Sequence, residues 1–436
     1  MKTNLKKVVS LFLVLGMLAG CLAGCGQGSG STTGNTGAQT DSPKTTEAQP
    51  TEAAGADTAA PADSASEGGT AAADGSKGTI MWLSNISSGR GLDLPKAVAE
   101  YFCEQMGYSF SVVYGDSFND PAGNLTAVKN GMTKDVKAII LSQDGGVANI
   151  MEEYPELYVV GYNTDMASVY DEEGASHSVL ENDKWLGTMV DGQADGNDRG
   201  KMMFEAAVEK GYRRIAIVAF PAYAYPQHTV AANAFIAAAE EYNQTAADDD
   251  KFEIVGDTKI LEFSPLEDGY FLDENYSNLD AIVAMCAGVD FVYPTMKSAI
   301  ASGTCSADTK LLTGGFNDAE EIIADIGGDG VIQFVSFSPW EDMFYPLILL
   351  DNALNGTQYA DFKPERVDAL PYNIDSKEDI DNVMAKAFNG NGDLDLLQWK
   401  WEDVASLMTR NNPEATHADL LAAVHSDALS VEALAD

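Results

Sequence analysis

The chain has 436 residues with a hydrophobic content of 45 %, enough to build a large core and two globular domains with appendages. Its 67 acidic residues against 26 lysines and arginines give a formal net charge of −41, which repels phosphate and argues against nucleic acid and anionic membrane surfaces as partners. Such a surface keeps a protein soluble and non-adhesive, so the charge excludes partners rather than selecting one.

The N-terminus reads as an export signal. Lys2, Lys6 and Lys7 precede an apolar stretch, Val8 to Leu18, that is interrupted by Ser10 and Gly16 and is too short to span a bilayer. It ends in Leu18-Ala19-Gly20-Cys21, and the same four letters recur at Leu22-Ala23-Gly24-Cys25. This resembles the bacterial lipobox, which implies a diacylated cysteine as the mature N-terminus. The expected lipidation site is Cys25, which a polar linker follows at once, or Cys21, which fits the pattern equally well. Residues 1–25 are thus a lipoprotein signal peptide and lipobox, and the expected location is extracytoplasmic, lipid-anchored to the outer face of the bacterial cell membrane.

From 26 to 77 the chain is Gly, Ser, Thr, Ala and Pro with sparse acids and no large apolar residue, a disordered linker and flexible tether. Short apolar runs then recur at Ile80–Leu83, Phe110–Tyr114, Ala138–Leu141 and Leu157–Val160, and again at Ile215–Val218, Ile254–Val255, Ala281–Ala284, Leu311–Leu312 and Val331–Val335. Several are continuous rather than alternating, as expected of parallel strands covered on both faces. Stretches of helical period lie between them: Val98, Tyr101, Phe102 and Met106 share one face, opened by Pro95 and ended by Gly107, and Phe235, Ala238, Ala239 and Tyr242 share another. Strand, helix, strand at this spacing predicts right-handed βαβ units, hence an α/β chain with two doubly wound parallel-sheet lobes and an inter-lobe cleft. A long irregular passage, Asn163 to Asp191, separates the two runs. The tail from 389 to 436 is predicted to be a helical extension, with Trp399 and Trp401 packing it onto the body and a helix over Ala418–Leu434.

Catalytic patterns are missing. There is no Gly-x-Ser-x-Gly elbow and no phosphate-binding Gly-x-x-x-x-Gly-Lys loop, and His177, His228, His417 and His425 are scattered without metal-ligand spacing. Cys103, Cys286 and Cys305 form no CxxC pair; a Cys286–Cys305 disulfide and buried free thiols both remain open. The expectation is a binding protein without catalytic residues, metal or cofactor.

Four segments in order carry a resemblance to the type I periplasmic-binding fold, shared by ribose-binding proteins and the sensory cores of lactose-repressor-like regulators. They are Ala138-Ile139-Ile140-Leu141-Ser142-Gln143-Asp144, Asp195-Gly196-Asn197 leading into Gly200-Lys201-Met202, Gly211-Tyr212-Arg213-Arg214-Ile215-Ala216-Ile217-Val218, and Gly314-Gly315-Phe316-Asn317-Asp318. The resemblance covers roughly 78–389 and implies a reversible solute-binding lipoprotein, monomeric, delivering a sugar to an ABC permease. A nucleoside, or a sensory role without transport, are its alternatives. It also implies a first lobe of 78–190 plus about 337–365 and a second of 191–336 plus about 366–388. Their crossings are expected near Val190–Gly196, near Ser336–Pro339 and after about Asn355.

In such a fold the residues at strand C-terminal ends line the cleft. The expected ligand-binding set in the first lobe is Asn85, Ser88, Arg90, Asp116, Gln143, Asp144 and Asn163, with Asp144 the leading candidate. In the second it is Tyr225, Phe263 and Asn317, with Trp340 after the second crossing; Tyr223, Gln227, His228, Ala287 and Asp290 stand at the same level. Two departures point away from a ribose-like monosaccharide. Cys286-Ala287-Gly288 replaces an asparagine-aspartate pair, and Ala231 stands near the place of an arginine.

Overall fold

The structure, a computed structural model, describes residues 76–84, 86–87, 90–115, 120–170, 177–190, 197–317, 319–387 and 398–426. The predicted signal peptide with Cys21 and Cys25, and all but the last two residues of the predicted tether, lie outside the described residues, as do Asn85, Ser88, Asp116, Asp318 and 191–196, where the first crossing is expected.

The first sheet holds β1 (Thr79–Ser84), β2 (Ser109–Tyr114), β3 (Val136–Leu141), β4 (Tyr158–Tyr162) and β5 (Trp185–Val190), with helices α1 (Arg90–Met106), α2 (Pro121–Gly131) and α3 (Val147–Glu153) between strands. Every pairing in it is parallel. Successive residues of a strand point to opposite faces, and here both faces are covered. Ile80, Trp82, Ala138 and Ile140 enter one core with Val98, Phe102 and Met106 of α1. Met81, Leu83, Ile139 and Leu141 enter another with Val128, Val147 and Ile150. That double cover is why these strands read as unbroken apolar runs.

The second sheet holds β6 (Arg214–Ala219), β7 (Glu253–Ile254), β8 (Lys259–Ile260), β9 (Ala281–Ala287), β10 (Lys310–Gly314) and β11 (Ile332–Phe337). Helices α4 (Asn197–Glu209) and α5 (Pro226–Asn243) cover one face through Met203, Ala207, Phe235 and Ala239. Helix α6 (Tyr293–Ser302) covers the other through Met296 and Ala299. Gly200 lets α4 and α5 touch, since a Cβ there would stand 2.1 Å from the Ala231 carbonyl oxygen.

From β11 the chain returns to the first lobe through 338–343 and forms α7 (Phe344–Leu354), which packs on α1 and β4. Strand β12 (Arg366–Asp368) pairs in parallel with β5, so the first sheet reads β12-β5-β4-β3-β1-β2 and the third crossing falls at 369–371. This is a few residues later than expected, because the Glu365 carbonyl already accepts from Thr188 N–H (3.0 Å). Strand β13 (Tyr372–Ile374) then pairs antiparallel with β11, so the second sheet, β13-β11-β10-β9-β6-β7 with β8 beside β6, is mixed rather than wholly parallel.

Three expectations are corrected. The passage Asn163–Asp191 contains β5, hidden by Gly187, whose φ of 95° and close approach to the Glu365 backbone admit no side chain. Pro95 lies inside α1, which starts at Arg90. The tail helices are α8 (Trp401–Ser406) and α9 (His417–Val424), and the described residues of the longer predicted stretch beyond α9 are not helical.

The tail adds a fourth crossing. Lys210 Nζ donates to the Asp375 carbonyl (3.3 Å) and Ser376-Lys377 packs against Gly327, so 375–377 lies on the second lobe. Trp399 then packs on Phe344 of α7 (centroids 5.2 Å apart), and Arg410 Nε stands 2.9 Å from the fully buried Asp351, so the chain has returned to the first lobe.

Candidate functional site: the inter-lobe cleft

Both sheets aim their strand C-terminal ends at the same gap. The crossings leave from β5, β11 and β12, which places the hinge at the β12-β5 edge of one sheet and the β13-β11 edge of the other. The opposite edges, β1-β2 and β6-β8, therefore form the mouth.

On the first-lobe wall a buried network sets the strand ends. Trp82 Nε1 donates to Ser142 Oγ (2.8 Å), Ser142 Oγ donates to the Tyr162 carbonyl (2.7 Å), and Tyr162 Oη donates to Asp342 Oδ1 (2.7 Å). Strands β1, β3 and β4 are thereby joined to the second crossing, where Asp342 is buried. Gln143 is buried, and its Nε2 donates to the Ser84 carbonyl (3.3 Å). Asp144 is half-buried and holds the start of the short helix Ala167–Tyr170: its Oδ2 accepts from Ser168 N–H (2.9 Å) and its Oδ1 from Ser168 Oγ. Asn163 follows β4 with a left-handed φ of 59°, and its buried Oδ1 has no hydrogen-bond partner among the described residues. Arg90 opens α1, and nothing further of it is described.

On the second-lobe wall, polar groups gather at the starts of α4 and α5. Arg199 is buried, and a Cβ on Gly314 would stand 3.7 Å from its Nη1, so the guanidinium reaches the C-terminal end of β10. Gln227 is buried in the first turn of α5, and its Oε1 has no partner among the described residues. Asn317 holds the turn that leads into the short helix Glu320–Ile323, with Oδ1 accepting from Ala319 N–H (2.9 Å) while Nδ2 donates to Asp290 Oδ1 (2.7 Å). The wall between is small: Ala287 and Gly288, the latter's N–H donating to Thr313 Oγ1 (2.8 Å).

Aromatic rings flank this centre. Tyr225 stacks on His228 (4.8 Å, 5° between planes), and Phe220 packs on Phe263 (5.0 Å) and Phe291 (4.9 Å). On the hinge side Phe316 stacks on Phe337 (4.8 Å) and Phe337 on Trp340 (6.0 Å), with Tyr372 edge-on to both Phe337 and Trp340. Trp340 is buried in that stack, a hinge-packing position.

The predicted residues thus divide. Gln143, Asp144, Asn163, Tyr225, Phe263 and Asn317 stand at strand ends around the cleft, while Asn85, Ser88 and Asp116 lie outside the described residues. Arg199 and Asp342 are absent from the predicted set. Both are charged residues in runs that read as an ordinary helix start and a crossing, and only burial sets them apart. Cys103, Cys286 and Cys305 are free buried thiols; burial pushes Cys286 up to about 12, so it stays protonated and inert at neutral pH. Among the described residues no cluster of His, Cys, Asp or Glu has the makings of a metal site, and no helix is long and apolar enough to cross a membrane.

No family profile and no curated protein matches this chain. Solved structures do. A solute-binding protein of an ABC transporter from Agrobacterium vitis, bound to α-D-tagatopyranose, is 13% identical with a TM-score of 0.55, covering 72% of this chain and 98% of its own. The arabinose-binding protein AraP of Geobacillus stearothermophilus is 14% identical with a TM-score of 0.54, covering 70% and 98%. A solute-binding protein of Burkholderia graminis in complex with D-arabinose is 13% identical with a TM-score of 0.52, covering 71% and 98%. At these identities the likeness is one of fold.

Proposed function

We propose that this chain, which has the type I periplasmic-binding fold, is a solute-binding lipoprotein that captures a sugar between its lobes and delivers it to an ABC-type importer. One observation carries the reading. Each lobe holds a buried amide oxygen with no hydrogen-bond partner among the described residues, Asn163 Oδ1 after β4 and Gln227 Oε1 after β6. A buried acceptor left unpaired costs about 1–3 kcal/mol, so one such oxygen after a strand of each lobe suits a ligand rich in hydroxyl donors. The sugars held by the structures of like fold support the same class.

No bond is made or broken in this function. The closed arrangement of the lobes forms when contacts from both walls to the ligand offset its cost, which turns binding into a shape that a permease can distinguish. The lipobox at Cys21 or Cys25 and the tether behind it suit a head that moves near the membrane while remaining attached. A nucleoside is the second reading, favoured by the aromatic cluster around Phe220, Tyr225 and Phe263.

A thermal-shift screen of the full chain against pentoses, hexoses, nucleosides and amino acids tests the class. A ligand at about 100 times its Kd stabilises by ~2.7 kcal/mol, a clear shift in Tm. A shift with a sugar supports the proposal. A shift only with nucleosides moves the assignment to the second reading, and no shift in any class counts against both.

A further inference from the structure

We infer that the cleft continues into an outer aromatic subsite at its mouth, built by Tyr223 and Phe263, and that the captured carbohydrate has more than one ring: a glycoside or an oligosaccharide. The inference rests on the sugar-capture reading above and narrows it.

The first ground is position. Tyr223 follows β6 and Phe263 follows β8, at the edge of the second sheet farthest from the crossings, so both stand at the mouth rather than at the hinge. The second is continuity. Phe220 is buried, its ring lies 5.0 Å from that of half-buried Phe263, and Phe263 lies 6.5 Å from Tyr223, which is 64% exposed. The rings step outward from the core to solvent without a gap. An aromatic face offered in this way beside a polar group is what the apolar face of a sugar ring stacks upon.

The third ground is that the outer ring is held. Tyr223 Oη donates to Glu262 Oε2 (3.0 Å), and Glu262 is itself exposed beside Phe263. A side chain with no role at the surface gains little from being fixed there, whereas a binding platform loses less entropy on contact when it is already placed. Phe263 adds a backbone signal, a left-handed φ of 53° in a bulky residue that ordinarily avoids that region. The fourth ground is distance. Ala287 and Gly288 at the end of β9 offer no side-chain hydrogen bonds there, and the aromatic rings stand two strands further out. From β9 to β8 the sheet spans two strand spacings, roughly 10 Å, which one monosaccharide ring does not bridge.

Titration calorimetry on the detergent-solubilised full chain tests this with D-glucose, D-galactose and D-xylose against cellobiose, lactose and xylobiose. At least one disaccharide is expected to bind about ten-fold more tightly than either of its own monosaccharides, a difference of ~1.4 kcal/mol. Tyr223→Ala should erase that advantage while leaving the monosaccharide Kd within about two-fold, and Tyr223→Phe should retain most of it. Monosaccharides binding as tightly as disaccharides, or an advantage that survives Tyr223→Ala, would overturn the outer subsite and leave sugar capture standing. Binding to none of the six sugars would overturn both.

Discussion

At the residue scale, Gln227 separates a binding role from a structural one. The residue is buried in the first turn of α5, and its Oε1 has no hydrogen-bond partner among the described residues. If the group were there to hold the fold, replacing it would cost stability. If it waits for a ligand hydroxyl, Gln227→Leu removes an unpaired polar group from the folded chain, and Tm should stay level or rise. Sugar affinity should fall by about 10- to 100-fold, ~1.4–2.7 kcal/mol, because the ligand hydroxyl would be left buried and unpaired. A drop in Tm with unchanged affinity would make the amide structural. Gln227 is legible in the sequence as a strand-end residue, but the lack of a partner for its Oε1 is a property of the folded surroundings that no local pattern carries. Asp144 shows the converse. The sequence places it correctly after β3, yet Ser168, which donates to its carboxylate, is 24 residues away in the four-residue helix Ala167–Tyr170, too short for any periodicity to announce.

At the element scale, the C-terminal tail is a strap along the first lobe. Tyr359 Oη donates to the Leu407 carbonyl (2.6 Å), Asn352 Oδ1 accepts from both Thr409 N–H (3.0 Å) and Thr409 Oγ1 (2.8 Å), and Asp361 accepts from the first N–H groups of α9. Its two ends sit at crossings: Glu341 accepts from Gln398 N–H (2.9 Å) and Trp399 N–H (3.0 Å), and His425 Nε2 lies 2.8 Å from the Asp368 carbonyl. Burial raises the Glu341 carboxyl from its ordinary 4.5 to about 7, outweighing those two donors and Lys400, which pull the other way. Between these values the folded chain holds a proton that the unfolded chain has released. The stability from this group is therefore complete below pH 4.5, falls as pH rises to about 7, and is level above it, a change of at most roughly 3 kcal/mol. Measured as Tm at about pH 5 and about pH 8, wild type should lose more on alkalinisation than Glu341→Gln, since the other carboxylates titrate in both and cancel. Equal losses would mean that Glu341 titrates normally. The two tryptophans make the docking of this tail readable in advance, but its anchor on Glu341 is not, because a Glu in a crossing looks like any solvated acid.

At the scale of the whole molecule, the architecture was readable because it rests on strands covered on both faces, and the core it implies is the one observed. Besides β5, whose apolar run Gly187 interrupts, what escaped were the elements defined by pairing alone. Strands β12 and β13 are three residues each, with no apolar run to mark them, and they exist because β5 and β11 offer open edges beside the crossings. Charge is also a property of the whole. Most of the net −41 lies in the two lobes rather than the tether, so closing the cleft brings two like-charged bodies together. Salt screens that repulsion, with a Debye length of about 10 Å at 0.1 M falling to ~3 Å at 1 M. A neutral sugar has no charge of its own to be screened, so its only salt dependence comes through closure, and its affinity should rise by a factor of about two to five over that range. Radius of gyration from X-ray scattering at saturating sugar should shrink at both salt concentrations, which keeps the closure step separate from its electrostatic cost. A fall in affinity with salt would indicate a cationic ligand drawn in by the protein's net negative charge, and an affinity indifferent to salt would mean that the lobes close without bringing their charged surfaces nearer.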